Sequence, residues 1–363
     1  MTDLKCNTRF IAFYLPQFYP IPENDKWYGK GFTEWTNVAK AKPLFPGHYE
    51  PHVPADLGFY DMRNPETIKG QAKMAHEYGI DGFCYWHYWF GNGKTLLSEP
   101  FQKLVEDKSI DINFCLSWAN VSWYGNKWNN KAGKQIIAEQ QYPGEEDICA
   151  HFYSLLPAFK DERYIRVSGK LLFGIHEPGD MPDADLFISK WRELAGKEGV
   201  GDFYFVAKDF YCGNKEKYLQ RGFDAVYDMS FLGIHHELSL FNKVRLKFER
   251  DILHWPTVFN YKKAIKYMLT DADREDDVVP VILPNWDHSP RTGRNSVIFK
   301  NCEPKYFKEL VRQVIEICSK KQQDKNIVFI QSWNEWGEGN HMEPDLKYGR
   351  GYLEALKEAI EER

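Results

Sequence analysis

The chain has 363 residues, a formal net charge of −5 and 43% hydrophobic residues, enough length and apolar content for a large core. The acidic balance gives no electrostatic reason to expect nucleic acid or an anionic membrane as partner. No apolar run approaches the roughly 20 residues of a membrane span, and the opening MTDLKCNTRF lacks the basic-then-apolar order of a secretory signal, so a cytoplasmic location is expected.

Short β-rich apolar runs recur in chain order: RFIAFYL (9–15), DGFCYW (81–86), INFCLSW (112–118), KLLFGIH (170–176), FYFVAKD (203–209), DAVYDMS (224–230), VVPVILP (278–284) and NIVFIQSW (326–333). Segments with helical spacing lie between them. PETIKGQAKMAHEYG (65–79) opens on a proline suited to a first turn and stops at Gly79. EEDICAHFYSLLPAF, DADLFISKWRELAGKEG, KEKYLQRG, EPKYFKELVRQVIEICSKK and GYLEALKEAIEE follow the same pattern, and a shorter segment runs from about 98 to 107. Strands apolar on both faces, alternating with helices, predict a parallel sheet covered by helices. Eight such units predict an α/β fold, a single (β/α)8 TIM barrel spanning 1–363 with enlarged βα loops at about 16–64 and 231–277. No linker or composition shift divides the chain. The seven cysteines are scattered and form no CxxC pair, as in a reducing compartment.

A barrel gathers its chemistry where strands end. The ends here read PQF, YWHYW, SWAN, HEP, KDF, DMS, NWDHSPR and WNEWGEG, polar and aromatic, and the strand starts offer little comparable. With Trp 12, Tyr 21 and Phe 25 making 16% of the chain, indole and phenol faces are available for stacking on sugar rings, beyond what packing requires. An oligosaccharide or polysaccharide is therefore the expected partner.

Glu335 and Glu338, three apart in WNEWGEG, are the expected catalytic pair. Glycosidic cleavage needs a proton donor for the leaving oxygen and a second carboxylate, held about 5–5.5 Å away in retaining enzymes. Close carboxylates push their pKa values apart, which sorts acid from base. Tyr85 and His87, on one face of their strand, and Trp86 and Tyr88, on the other, are expected to form a sugar-binding wall, with a satisfied core histidine as the equal alternative for His87. Trp118, Asn120 and Trp123 make a stacking-plus-amide patch or are packing tryptophans, Asp287 and Arg291 fork hydroxyls or pair with each other, and His341, Glu343 and Asp345 extend the cleft or form a loop salt bridge. Tyr14, Gln17, Glu34, Trp35, His176, Trp333, Asn334 and Trp336 complete the expected substrate site. No cofactor and no metal is expected: GxGxxG and GxxxxGK[ST] are absent, and strand one ends in PQFYP with no HxH pair.

The blocks FYLPQFYP, GFTEWTNVAKAKPLFPGHYEPHVPADLGFYD, YGIDGFCYWHYWF, CLSWANVSW, LPNWDHSPR and QSWNEWGEGNHMEPD resemble the WbsX-type family of lipopolysaccharide or O-antigen glycosyltransferases, which is similar to glycoside hydrolase family 99. That resemblance runs from residue 13 to beyond 345. It implies a (β/α)8 barrel and retaining endo-α-mannosidase-like chemistry. It implies Glu335 as the base that draws the proton from a sugar 2-hydroxyl, giving a 1,2-anhydro intermediate, and Glu338 as the acid. The chain departs from the pattern at Val121, at Asn285 and His288, and at Gly337. The residues favour a hydrolase or transglycosidase. The alternatives are a glycosyltransferase of polysaccharide biosynthesis and a catalytically silent glycan-binding barrel. The two DxD matches, Asp183–Asp185 and Asp271–Asp273, lead helices and read as caps.

Overall fold

The computed structural model describes residues 7–125, 136–229, 234 and 240–362. The first six residues and most of 230–239, including part of the enlarged segment expected at 231–277, lie outside that description.

Nine parallel strand segments form a nearly closed barrel: β1 Arg9–Tyr14, β2 Gly82–Trp89, β3 Asn113–Trp118, β4 Lys170–Ile175, β5 Phe203–Asp209, β6 Ala225–Asp228, β7 Val278–Val279, β8 Val281–Ile282 and β9 Ile327–Ile330. Their order in the sheet is β7-β6-β5-β4-β3-β2-β1-β9-β8. β7 and β8 are two halves of the single run VVPVI. Pro280, which has no N–H to give a ladder, divides them; β7 pairs with β6 and β8 with β9. The carbonyl of Pro280 still accepts from the Phe329 N–H at 2.9 Å. The two ends of the sheet are thus consecutive in the chain, and the expected eighth-strand count is met with strand seven broken.

Strand alternation sorts the side chains. Phe13 points inward and stacks on Trp86 with ring centroids 4.7 Å apart, beside Phe329 at 4.9 Å and Tyr227 at 5.6 Å. Tyr14 points outward, where its hydroxyl donates to Gln71 Oε1 at 2.6 Å on the helix Pro65–Glu77. That helix starts at Asn64, whose side chain accepts from the Glu66 N–H, with Pro65 in the first turn. A single contiguous cluster of buried apolar residues runs from Phe10 to Ala359.

The two enlarged connections carry structure of their own. Residues 16–64 contain the helices Pro22–Tyr28 and Glu34–Lys40. The described part of 231–277 contains the helix Leu240–Asp251 and a strand, Thr257–Asn260, that pairs in parallel with Val297–Lys300. Among the described residues no helix is long and apolar enough to cross a membrane.

Candidate active site

A cleft of about 490 Å³ opens at the C-terminal ends of the strands. Its floor is the turn after β9. Asn334–Glu335 pairs with Asn340–His341 as a short antiparallel ladder, and Trp336–Glu338 forms one 3-10 turn between them. Gly339 ends that turn at φ 57°, and a Cβ there would stand 2.6 Å from Asp287 Cβ, so both conformation and space require glycine.

Both glutamates of the turn face the cleft. Glu335 Oε1 accepts from Trp86 Nε1 at 3.0 Å, and Glu335 Oε2 is buried with no hydrogen-bond partner. Glu338 is paired with the Arg291 guanidinium, and His288 Nε2 stands 3.5 Å from it. Arg291 is itself gripped by Glu34 through Nε (3.1 Å) and Nη2 (2.9 Å). These contacts split the proton affinities of the pair. Burial, then the Glu338 charge, pushes the Glu335 carboxyl far above the usual carboxylate range, because only a neutral indole N–H serves it. Burial acts in the same direction on Glu338, but Arg291 and His288 outweigh it and hold Glu338 well below that range. These opposed directions favour a proton on Glu335 over one on Glu338.

The cleft wall brings together Gln17, Glu34, Trp86, Tyr88, Trp123, His176 and Arg291 from the expected residues. His176 sits edge-on to Trp86 at 5.1 Å, and its Nε2 lies 3.0 Å from Lys208 Nζ. Burial first, then Lys208, lowers the His176 pKa to about 3, so the ring is neutral and accepts from the ammonium. Val121, one of the departures from the family pattern, lines the same wall.

Other expected residues stand elsewhere. Tyr85 and His87 occupy the outward face of β2, opposite Trp86 and Tyr88. Tyr85 packs on Tyr14 and Phe101, and His87 Nε2 meets His151 Nε2 at 2.8 Å in the layer between strand and helix. Only half of the proposed wall therefore faces the cleft, as strand alternation demands. Tyr14 faces outward too. Trp118 donates to the Trp89 carbonyl and stacks on Phe187, and Asn120 bridges to the Glu177 backbone, so both brace strand ends. Asp287 does not pair with Arg291. It bonds His48 at 2.6 Å and the Ser289 N–H, because the short helix Ser289–Thr292 carries Arg291 around to Glu34.

Trp35, Trp333, Asn334, Trp336, His341 and Glu343 lie beneath the floor. Asn334 Oδ1 accepts from the Leu15 N–H at 2.8 Å and its Nδ2 donates to the Leu15 carbonyl at 3.1 Å, tying the turn to the exit of β1. Trp35 donates to the Tyr60 carbonyl, and Trp333 packs on Phe83 at 5.1 Å. The fully buried Glu343 accepts from Trp336 Nε1 (2.6 Å), Gln71 Nε2 (2.7 Å) and the Tyr60 hydroxyl (2.9 Å). Burial raises its pKa to about 7 against the pull of those donors.

Sequence reasoning missed Asn24, Tyr28, Phe32, Asn37, Thr292 and Gln331 in the cleft lining. Asn24 is 1% exposed and neither side-chain polar atom has a protein partner, an amide left for a ligand. The only signal was position: four of the six come from the long connection after β1.

A family model described as Glycosyltransferase WbsX matches residues 10–356. An uncharacterised protein WxcX of Xanthomonas campestris pv. campestris (strain ATCC 33913) is 35% identical over 356 residues, 96% of this chain and 49% of its own length. The same protein of strain B100 is 34% identical. The chain thus spans about half the length of these curated relatives. Among solved structures, a glycoside hydrolase-like protein aligns with a TM-score of 0.60 at 16% identity, over 97% of this chain and 94% of that one. The GH99 endo-alpha-mannosidase from Bacteroides thetaiotaomicron, in complex with bis-tris-propane, aligns with a TM-score of 0.57 at 15% identity, over 98% and 97%. At those identities the structural likeness concerns the fold alone.

Proposed function

This chain belongs to the WbsX glycosyltransferase family, and from that footing we propose that its cleft makes or breaks glycosidic bonds, with Glu335 and Glu338 as the reacting carboxyls. The observation that carries the reading is the unequal pair: two glutamates of one turn facing the cleft, Glu335 buried against a neutral indole N–H and Glu338 half-buried beside Arg291 and His288. A proton donor and a carboxylate in contact with the same space are what acetal chemistry requires. A substrate oxygen takes up the unpartnered Glu335 Oε2. Glu335 gives its proton to the leaving oxygen as the C–O bond breaks and the electron pair passes to oxygen. Glu338, its charge held by Arg291, serves the anomeric side, either by bonding the carbon or by taking the proton of a neighbouring hydroxyl. The resting proton order is the reverse of the roles that resemblance to family 99 implies, because here an arginine and a histidine hold the second glutamate ionised. Transfer to a sugar hydroxyl uses the same steps as hydrolysis, and the family's own description favours it.

The test is turnover of aryl glycosides and mannose-containing oligosaccharides, with and without sugar acceptors. Both Glu335→Gln and Glu338→Gln are expected to lose about 10²–10⁴-fold in kcat. With a dinitrophenyl leaving group, which needs no proton, Glu335→Gln recovers and Glu338→Gln does not. Recovery by Glu338→Gln instead exchanges the two roles. Turnover of nucleotide-sugar donors, unaffected by either change, would overturn the reading.

A further inference from the structure

On the far side of the catalytic turn, a second cavity of about 250 Å³ opens between residues 45–52, Asn285–Asp287 and the segment around Tyr348. His52 lines it. His52 Nδ1 lies 3.3 Å from Asp345 Oδ2, and His341 Nε2 lies 4.0 Å from the same oxygen. One ligand atom from each of these three residues falls within 4.8 Å of the others.

His341 reveals what the cluster lacks. The residue is 0% exposed, and its Nδ1 stands 3.0 Å from the Glu343 carbonyl, which only accepts. Nδ1 therefore carries the hydrogen and Nε2 presents a bare lone pair. That nitrogen has no hydrogen-bond partner and is aimed at a carboxylate oxygen. Burial keeps the ring neutral, with a pKa lowered to about 4. Asp345 is equally committed: its Oδ1 accepts from the Lys347 and Tyr348 N–H groups at 2.9 and 2.6 Å, leaving Oδ2 for the cluster. A cation between them would satisfy both acceptors at once. Lys347 does not fill the place: its ammonium lies over the rings of Tyr49 and Tyr348, at 4.5 and 4.8 Å.

We propose that His52, His341 and Asp345 bind a divalent first-row transition cation, of the zinc class, at a site separate from the cleft. Two imidazoles and one carboxylate suit such an ion better than magnesium or calcium, which take oxygen ligands. The 3.3 Å between His52 and Asp345 already matches two tetrahedral ligands, about 3.3 Å apart for zinc bonds of ~2.0–2.1 Å. The Nδ1–H of His341 on a backbone carbonyl is the outer contact that orients a ligating imidazole. Binding would take the place of the direct His52–Asp345 contact. The ion would join the 49–54 segment to the strand that returns from Glu338. It would also fix His341 against Trp336, on which it stacks at 3.8 Å.

The chelator-treated full chain, titrated with Co²⁺, should develop visible d–d bands saturating at one equivalent, reversed by Zn²⁺. Zn²⁺ should also raise Tm. His52→Ala, at the rim of the cavity, and Asp345→Asn, which keeps the backbone acceptor, should fold by far-UV circular dichroism and lose the bands. Absence of bands and of any Tm rise in the unaltered chain overturns the proposal. Equal binding by both variants does so as well.

Discussion

Glycine at position 337 shows how one residue sets the site's chemistry. Its backbone angles are unremarkable, so space is the reason for it: a Cβ there would come 2.8 Å from the Glu34 carboxyl carbon. Glu34 holds Arg291, and Arg291 holds Glu338. Gly337→Ala is therefore expected to leave the barrel folded at a cost of about 1–3 kcal/mol. Its kcat should fall at least tenfold as the arginine clamp shifts; unchanged kcat would show the clamp to be dispensable. Glu343 makes the second case at this scale. Its pKa is about 7 in the fold against 4.5 ordinarily, so between those values the native chain binds more protons than the unfolded one. Stability contributed by this group is thus full below about pH 4.5 and declines as pH rises to 7, by about 3 kcal/mol. Urea unfolding at pH 5 and pH 8 should show that decline in the parent and a smaller one in Glu343→Gln; equal declines would locate the titration elsewhere. The sequence displayed Glu335 and Glu338 openly. It could not reveal that Arg291 belongs to them and not to Asp287, since that depends on a four-residue helix between the two.

Among elements, β2 is the instructive one. All eight of its residues are buried, so composition cannot tell its inner face from its outer face. Alternation separates Tyr85 and His87 from Trp86 and Tyr88, and only the position of Phe13 on the neighbouring strand identifies which pair meets the cleft. Helices were more legible, because Pro65 and Gly79, or Pro304 in the helix Pro304–Cys318, mark ends by local chemistry. The connection after β1 was hardest: its two seven-residue helices are too short to display a periodic face, yet they supply Asn24 and Glu34 to the site. The joint between β1 and the turn that carries Glu335 and Glu338 rests on Asn334. Asn334→Ala would orphan both backbone groups of Leu15 in a buried place, at a cost of about 2–5 kcal/mol. Equilibrium denaturation should register it, and a loss under 1 kcal/mol would mean that water takes over the bonds.

At the scale of the whole molecule, the barrel was readable from eight recurrences of one pattern, and the division of its seventh strand was foreshadowed by a proline in VVPVI. Its cation cluster was not, since HYEPH and NHMEPD sit at opposite ends of the chain and acquire a relation only when the barrel shuts. That shutting has a consequence for how the protein comes into being. β1 pairs with β9, and Leu15 meets Asn334 across 319 residues. During synthesis the strand Arg9–Tyr14 leaves the ribosome with one edge unanswered and keeps it so until Ile327–Ile330 has followed. Glu335 and Glu338 arrive just after that strand. A nascent chain that has not yet reached Ile327 therefore holds most of the cleft wall without its floor, and the cleft is completed only as the first strand gains its second neighbour.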